Sequence, residues 1–149
     1  MDSKQDVLPK IRNWCARAER SPRQVLKKLR DWGASENAEA QLSQLEEEGF
    51  VDAARFANAF AADQIRLKNW GPSKVYAALR QVHGLAGNLA SEALAEVGED
   101  EVNEAAFRSA KSWLRVRSEI DQQKAIAALL RKGFSFESAS RAVQAAIAD

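Results

Sequence analysis

The stretch RLKNWGPSKVYAALR, Arg66 to Arg80, ends one helix and begins another within two residues, and the new helix is basic. Gly71 suits a cap, and Pro72 suits a first turn, where its missing N–H would lack a helical partner in any case. Fifty residues earlier stands SPRQVLKKLR, Ser21 to Arg30, with Ser21 and Pro22 in the same places; fifty later stands DQQKAIAALL, Asp121 to Leu130. One basic element written three times at a fixed spacing makes the chain a repeat array.

Working outward, helix formers dominate, and no β-branched run alternates with period two, so the chain reads as all-α. Gly33, Gly49, Gly71, Gly84, Gly98 and Gly133 each follow a helical stretch, where a left-handed cap is wanted. Cutting at these glycines gives three units of three helices: residues 1–49, 50–98 and 99–149. In the second unit the expected helices are 53–70, 72–83 and 89–97, with Asp52 as N-cap and Val51 stapled to Phe56. Superimposing the middle helices aligns Val25, Val75 and Ala125, then Leu29, Leu79 and Leu129, then Trp32, Val82 and Lys132, an i, i+4, i+7 stripe for a core with Lys132 as its misfit. Opposite lie Lys27 and Arg30, Lys74 and Arg80, Lys124 and Arg131, whereas the third helices of the first two units are acidic. Each unit alone buries too little to be secure, so the units are expected to share interfaces in an elongated, curved array of helix-turn-helix-like repeats.

At 149 residues with 29% charged residues, the composition is that of a folded chain. The net charge of +1 conceals alternating blocks: residues 64–84 hold four cations and no acid, residues 85–107 six acids and no cation. No apolar run approaches the roughly 20 residues of a membrane span, and the first residues lack the apolar core of a secretory signal. Cys15 is the sole cysteine, which excludes an internal disulfide and points to a reducing compartment, the cytoplasm.

Enzymatic chemistry finds no footing. His83, beside Gly84, reads as a cation at a helix C-terminus, and Cys15 as a small core residue. One Cys and one His make no metal site, and GLAG, Gly84 to Gly87, is too short for a phosphate loop and lacks its lysine. No cofactor is expected. Asp63 falls near the apolar stripe set by Phe56 and Phe60, where a buried acid needs a partner, and Arg66 is the expected one. Trp14, Trp32, Trp70 and Trp113 stand at core-compatible positions rather than as base-stacking platforms. The binding candidates are the cations of the recurring helices and their approaches: Arg55, Arg66, Lys68, Lys74 and Arg80 first, then Lys27, Lys28 and Arg30. Arginines there suit bidentate pairing with carboxylates or phosphates, and the sequence does not choose between the two.

Glu46 to Gly84, EEEGFVDAARFANAFAADQIRLKNWGPSKVYAALRQVHG, resembles the signature block of the RecX (OraA) family, bacterial regulators of the RecA recombinase. The matching elements are Gly49-Phe50-Val51-Asp52, Arg55-Phe56-Ala57, Phe60, the basic run from Arg66 into Trp70-Gly71, and Lys74 to Arg80. CARAERSPRQVLKKLRDWG, Cys15 to Gly33, resembles the family's first repeat; the third departs, lacking Gly-Pro and carrying Leu130 where Arg30 and Arg80 stand. The resemblance implies a non-enzymatic modulator that lies in the groove of RecA–single-stranded-DNA filaments and inhibits RecA's ATPase, recombination and coprotease activities, with contact to single-stranded DNA weaker or indirect; a monomer is expected. On that footing inhibition should decline in steps as terminal units are deleted. The competing reading is a direct DNA binder with helix-turn-helix-like units, against which stands a pI of 7.9.

Overall fold

The computed structural model describes residues 3–149, with side chains from residue 7 onward. It is all helical among those residues: α1 (Ser3–Arg17), α2 (Pro22–Asp31), α3 (Ala38–Glu47), α4 (Ala53–Lys68), α5 (Pro72–Gln81), α6 (Gly87–Val97), α7 (Glu99–Arg115), α8 (Gln122–Arg131) and α9 (Phe136–Ala148), with a 3-10 turn at Ser35–Asn37 before α3. No helix is long and apolar enough to cross a membrane. The accessible surface, 8737 Å² for 16.5 kDa, exceeds the roughly 7,600 Å² of a compact monomer of that mass, as expected for units joined in series.

The stripe of the middle helices is the core. Val25, Val75, Ala125, Leu29 and Leu79 are wholly buried and Leu129 nearly so, each large one contributing about 1.5–3 kcal/mol through burial. The stripe stops a turn earlier than its period implies, because Val82 is 62% exposed at the last turn of α5. Lys27, Arg30, Lys74, Arg80, Lys124 and Arg131 all face solvent, as the pattern requires.

Two hydrophobic cores result, not three. One belongs to α1–α3 and includes Ile11, Val25, Leu29 and Leu45. The other runs without interruption through α4–α9, from Phe56, Ile65 and Leu79 to Leu129, Phe134 and Val143. Alanine explains the merger: Ala90, Ala93, Ala105, Ala106, Ala110, Ala139 and Ala142 let α6, α7 and α9 approach closely. Phe50 and Val51 pack into the first core and Phe56 into the second. The expected Val51–Phe56 staple is therefore absent; the Val51 amide instead bonds back to the Leu45 carbonyl, 3.3 Å away.

Five of the six cap glycines have positive φ, but Gly71 does not, at φ −87°. Asn69 takes the left-handed position that ends α4, and Gly71 is the N-cap of α5. Its lack of a side chain serves a different purpose, set by the neighbouring helix.

Candidate partner-binding face

The three middle helices stand end to end. α5 has no side-chain cap, since Gly71 has none to give. Its free amides are satisfied by the last carbonyls of α8: Gly71 N–H donates to Lys132 O at 2.7 Å and Ser73 N–H to Gly133 O at 3.0 Å. A Cβ on Gly71 would overlap the backbone of Gly133 and Phe134, and one on Gly133 would meet Lys74. Only a glycine pair lets the two backbones touch.

Fifty residues back, the same positions carry Ser21 and His83. Here α2 caps itself: Ser21 Oγ accepts from Gln24 N–H at 3.2 Å, and Gln24 Oε1 accepts from Ser21 N–H at 2.8 Å. The end of α5 is met by side chains instead of backbone. Arg23 Nη1 donates to the carbonyls of Gln81 and Val82 at 3.0 and 3.1 Å, and its guanidinium covers Gly84, while Ser21 Oγ lies 3.0 Å from His83 Nδ1. The order α8, α5, α2 is thus a single row whose dipoles point head to tail. Along it are exposed Lys124, Arg131, Lys74, Arg80, Lys27 and Arg30, with Asp121 and Asp31 the acids of the three elements.

His83 corrects the sequence reading. It is buried, with ring centroids 4.6 Å from Phe56 and 5.1 Å from Phe60. Burial, and then the nearby Arg23 charge, push its pKa below the usual histidine value, so it is a neutral junction residue rather than a cationic cap. Asp63 also differs from expectation: it is exposed, because the helix turns it away from the Phe56 face, and Arg66 pairs with Glu101 of α7 instead. That pair is bidentate, with Nη2 at 2.7 Å from Oε2, and it holds the Glu101 carboxyl below its ordinary pKa.

The candidate cations divide by what they touch. Arg55 and Arg66 work inside the array, Arg55 Nε donating to Glu19 at 2.7 Å and Nη2 to Gly49 O at 3.1 Å. Arg80 Nη1 donates to Leu85 O at 2.9 Å. Lys27 pairs with Asp31 four residues on, at 2.9 Å. Lys28 lies over the Trp14 and Trp32 rings, and Lys74 lies 4.4 Å over Trp70. The side chains of Arg30 and Lys68 are exposed and, among the described residues, make no ion pair or hydrogen bond.

A second pattern escaped the sequence reading. In each unit the tryptophan near the end of the first helix carries a cation: Arg20 at 4.0 Å over Trp14, Lys74 over Trp70, and Arg117 at 3.8 Å over Trp113. The signal was present as a basic residue four to six places after each tryptophan. All four tryptophans are half-buried at the rim of a core. Lys132, close to Lys74 at the α8–α5 junction, has its pKa lowered by burial and then by that neighbour. Cys15 is buried and its thiol pKa raised by burial, the character of an unreactive core residue. A groove of about 470 Å³ between α7 and α9 has an apolar floor of Phe107 and Ala142, but its cations are engaged, Arg108 with Asn69 and Arg141 with Glu137. Among the described residues no group of His, Cys, Asp and Glu could hold a metal ion.

Residues 52–94 match the family model described as RecX, second three-helix domain. The chain is 34% identical over 136 residues to a Regulatory protein RecX from Leuconostoc citreum (strain KM20), an alignment covering 88% of this chain and 51% of that protein. It therefore spans about half the length of this curated relative. Among solved structures, a regulatory protein RecX superimposes with a TM-score of 0.80 at 22% identity, over 99% of this chain and 73% of the other. RecX from Lactobacillus salivarius superimposes at 0.78 and 18% identity, over 99% of both chains. The all-helical fold is that of these structures, and residues 52–94 carry the second three-helix domain of the RecX family.

Proposed function

We propose that this protein is a non-enzymatic regulator of RecA that binds RecA–single-stranded-DNA filaments and inhibits RecA's ATPase, recombination and coprotease activities. The observation that carries the reading is the head-to-tail row of α8, α5 and α2, which sets equivalent basic helices at repeating intervals. A filament offers equivalent surfaces at repeating intervals, so each unit can meet a similar patch on a successive subunit. The cations best placed for that contact are Arg30 and Lys68, which have no described partner, then Lys74, Lys27, Lys28 and Arg80, whose internal contacts are solvent-exposed or leave donors free. Arg55 and Arg66 support the face by joining its units.

The test is RecA's single-stranded-DNA-dependent ATP hydrolysis, with this protein titrated in at constant salt beside a DNA-only binding control. Inhibition well below one molecule per RecA supports filament regulation. Unchanged hydrolysis, together with tight and steeply salt-dependent binding to naked DNA, would replace it with a direct DNA-binding function.

A further inference from the structure

The two junctions of the row are made differently, and the difference has a consequence for motion. Between α8 and α5 the contact is backbone to backbone, beneath it runs a continuous core, and beside it Arg66–Glu101 and Arg108 tie α4 to α7. Between α5 and α2 no core is shared. What joins them is a set of side chains, Ser21 to His83, Arg23 to the α5 carbonyls and Arg55 to Glu19, and one covalent passage through Asp52. Phe50 and Val51 on one side of that passage are fixed in the first core, and Phe56 on the other side in the second.

We propose that α1–α3 form an arm hinged at Asp52 on a rigid α4–α9 body, and that the clasp holding the arm shut releases when His83 takes up a proton. The Ser21 hydroxyl accepts from Gln24 N–H, and in the Nε2–H tautomer of His83 its own proton goes to Nδ1, 3.0 Å away. A proton on Nδ1 would reverse that bond and leave the Ser21 O–H without an acceptor at a site with no solvent exposure. It would also place a cation in a buried site, next to the Arg23 guanidinium. The α5 C-terminal carbonyls, which would otherwise favour an imidazolium, already accept from Arg23. The remaining charges are turned elsewhere: Glu19 is held by Arg55, Arg20 lies on Trp14, Arg80 bonds Leu85 O, and Asp63 projects to solvent. The depressed basicity of the ring agrees with this geometry. The inference stands apart from the filament reading and fails separately from it.

The full-length chain in a Cys15→Ser background, labelled at cysteines replacing exposed Glu39 on α3 and Gln144 on α9, reports the arm–body distance by pulsed electron paramagnetic resonance. A pair at Asn58 and Gln144 reports the body alone. Since the chain has one histidine, its Hε1 resonance titrates His83 directly. The arm–body distribution is expected to be narrow at pH 7.5 and to broaden with the His83 titration, while the body pair stays unchanged. His83→Phe, which keeps a ring but cannot titrate, should give a distribution that ignores pH. A distribution unchanged while the resonance titrates would overturn the proposal, as would broadening of both pairs together. If His83→Phe disturbs the body pair, the wild-type comparison decides alone.

Discussion

Gly71→Ala tests the backbone junction on which the row depends. Gly71 sits at φ −87° and ψ 168°, which alanine adopts freely, so chain entropy alone would favour the variant by about 0.4–1 kcal/mol. The obstacle is space, because the new methyl would overlap the Gly133 carbonyl group and the Phe134 amide. Backbone cannot rotate aside, so α5 and α8 must separate. That loses the bonds to Lys132 O and Gly133 O, about 0.5–1.5 kcal/mol each, and strains the packing over Phe134 by roughly 1–3 kcal/mol. Net of the entropic gain, the cost is about 1–5 kcal/mol, roughly 2–20 °C in melting temperature for a chain of this size. The control is Gly33→Ala, in the first unit at the position equivalent to Gly133, where nothing lies within 4 Å and the strain of φ +85° acts alone, about 1–2 kcal/mol. Thermal and guanidinium unfolding followed by ellipticity measure both. A Gly71→Ala chain as stable as the parent, or more so, would refute the backbone contact.

Asp63→Ala should change stability by less than about 0.5 kcal/mol, since the carboxylate is exposed; a loss near 3 kcal/mol would restore the buried ion pair expected from the helical stripe. A double-mutant cycle on Arg66 and Glu101 should give a weak coupling that fades with salt, and salt-insensitive coupling would contradict their exposure. The lowered His83 pKa favours folding in the neutral state: its contribution is complete above pH of about 6.5 and is lost as pH falls through the folded value. Carboxylates held down by their partners, such as Glu48 and Glu101, act only below about pH 4.5, so the two windows separate, and His83→Phe should flatten only the upper one. Arg30→Ala combined with Lys68→Ala should weaken inhibition of RecA hydrolysis without moving the melting temperature; equal inhibition at unchanged stability would remove both from the binding face.

The deletion series needs a different form from the one the repeat suggested. Removing α7–α9 would strip Ala105, Leu129 and Val143 from the core they share with Phe56 and Leu79, leaving an open apolar face. Loss of inhibition by such a chain would report unfolding. Removing α1–α3 breaks only polar side-chain contacts, so that truncation is the one whose activity is interpretable.

The sequence made the helices and their buried stripe legible because both follow from periods of 3.6 and 50 residues. It hid what depends on contacts between repeats. Asp63 and Arg66 are three apart and looked paired, yet Glu101, 35 residues on, is the partner, because α7 packs beside the end of α4. The junction residues were in view at the same register, Ser21 over Gly71 over Asp121, and Gly33 over His83 over Gly133. Aligning units for the core compares each residue with its equivalent. The junction instead joins non-equivalent positions of successive units, Gly71 with Gly133 and Ser21 with His83. A glycine facing a glycine closes on backbone, and a serine facing a histidine closes on side chains, one of which titrates. Each repeat therefore differs from its neighbours where they meet, and there one fold acquires both a rigid joint and a movable one.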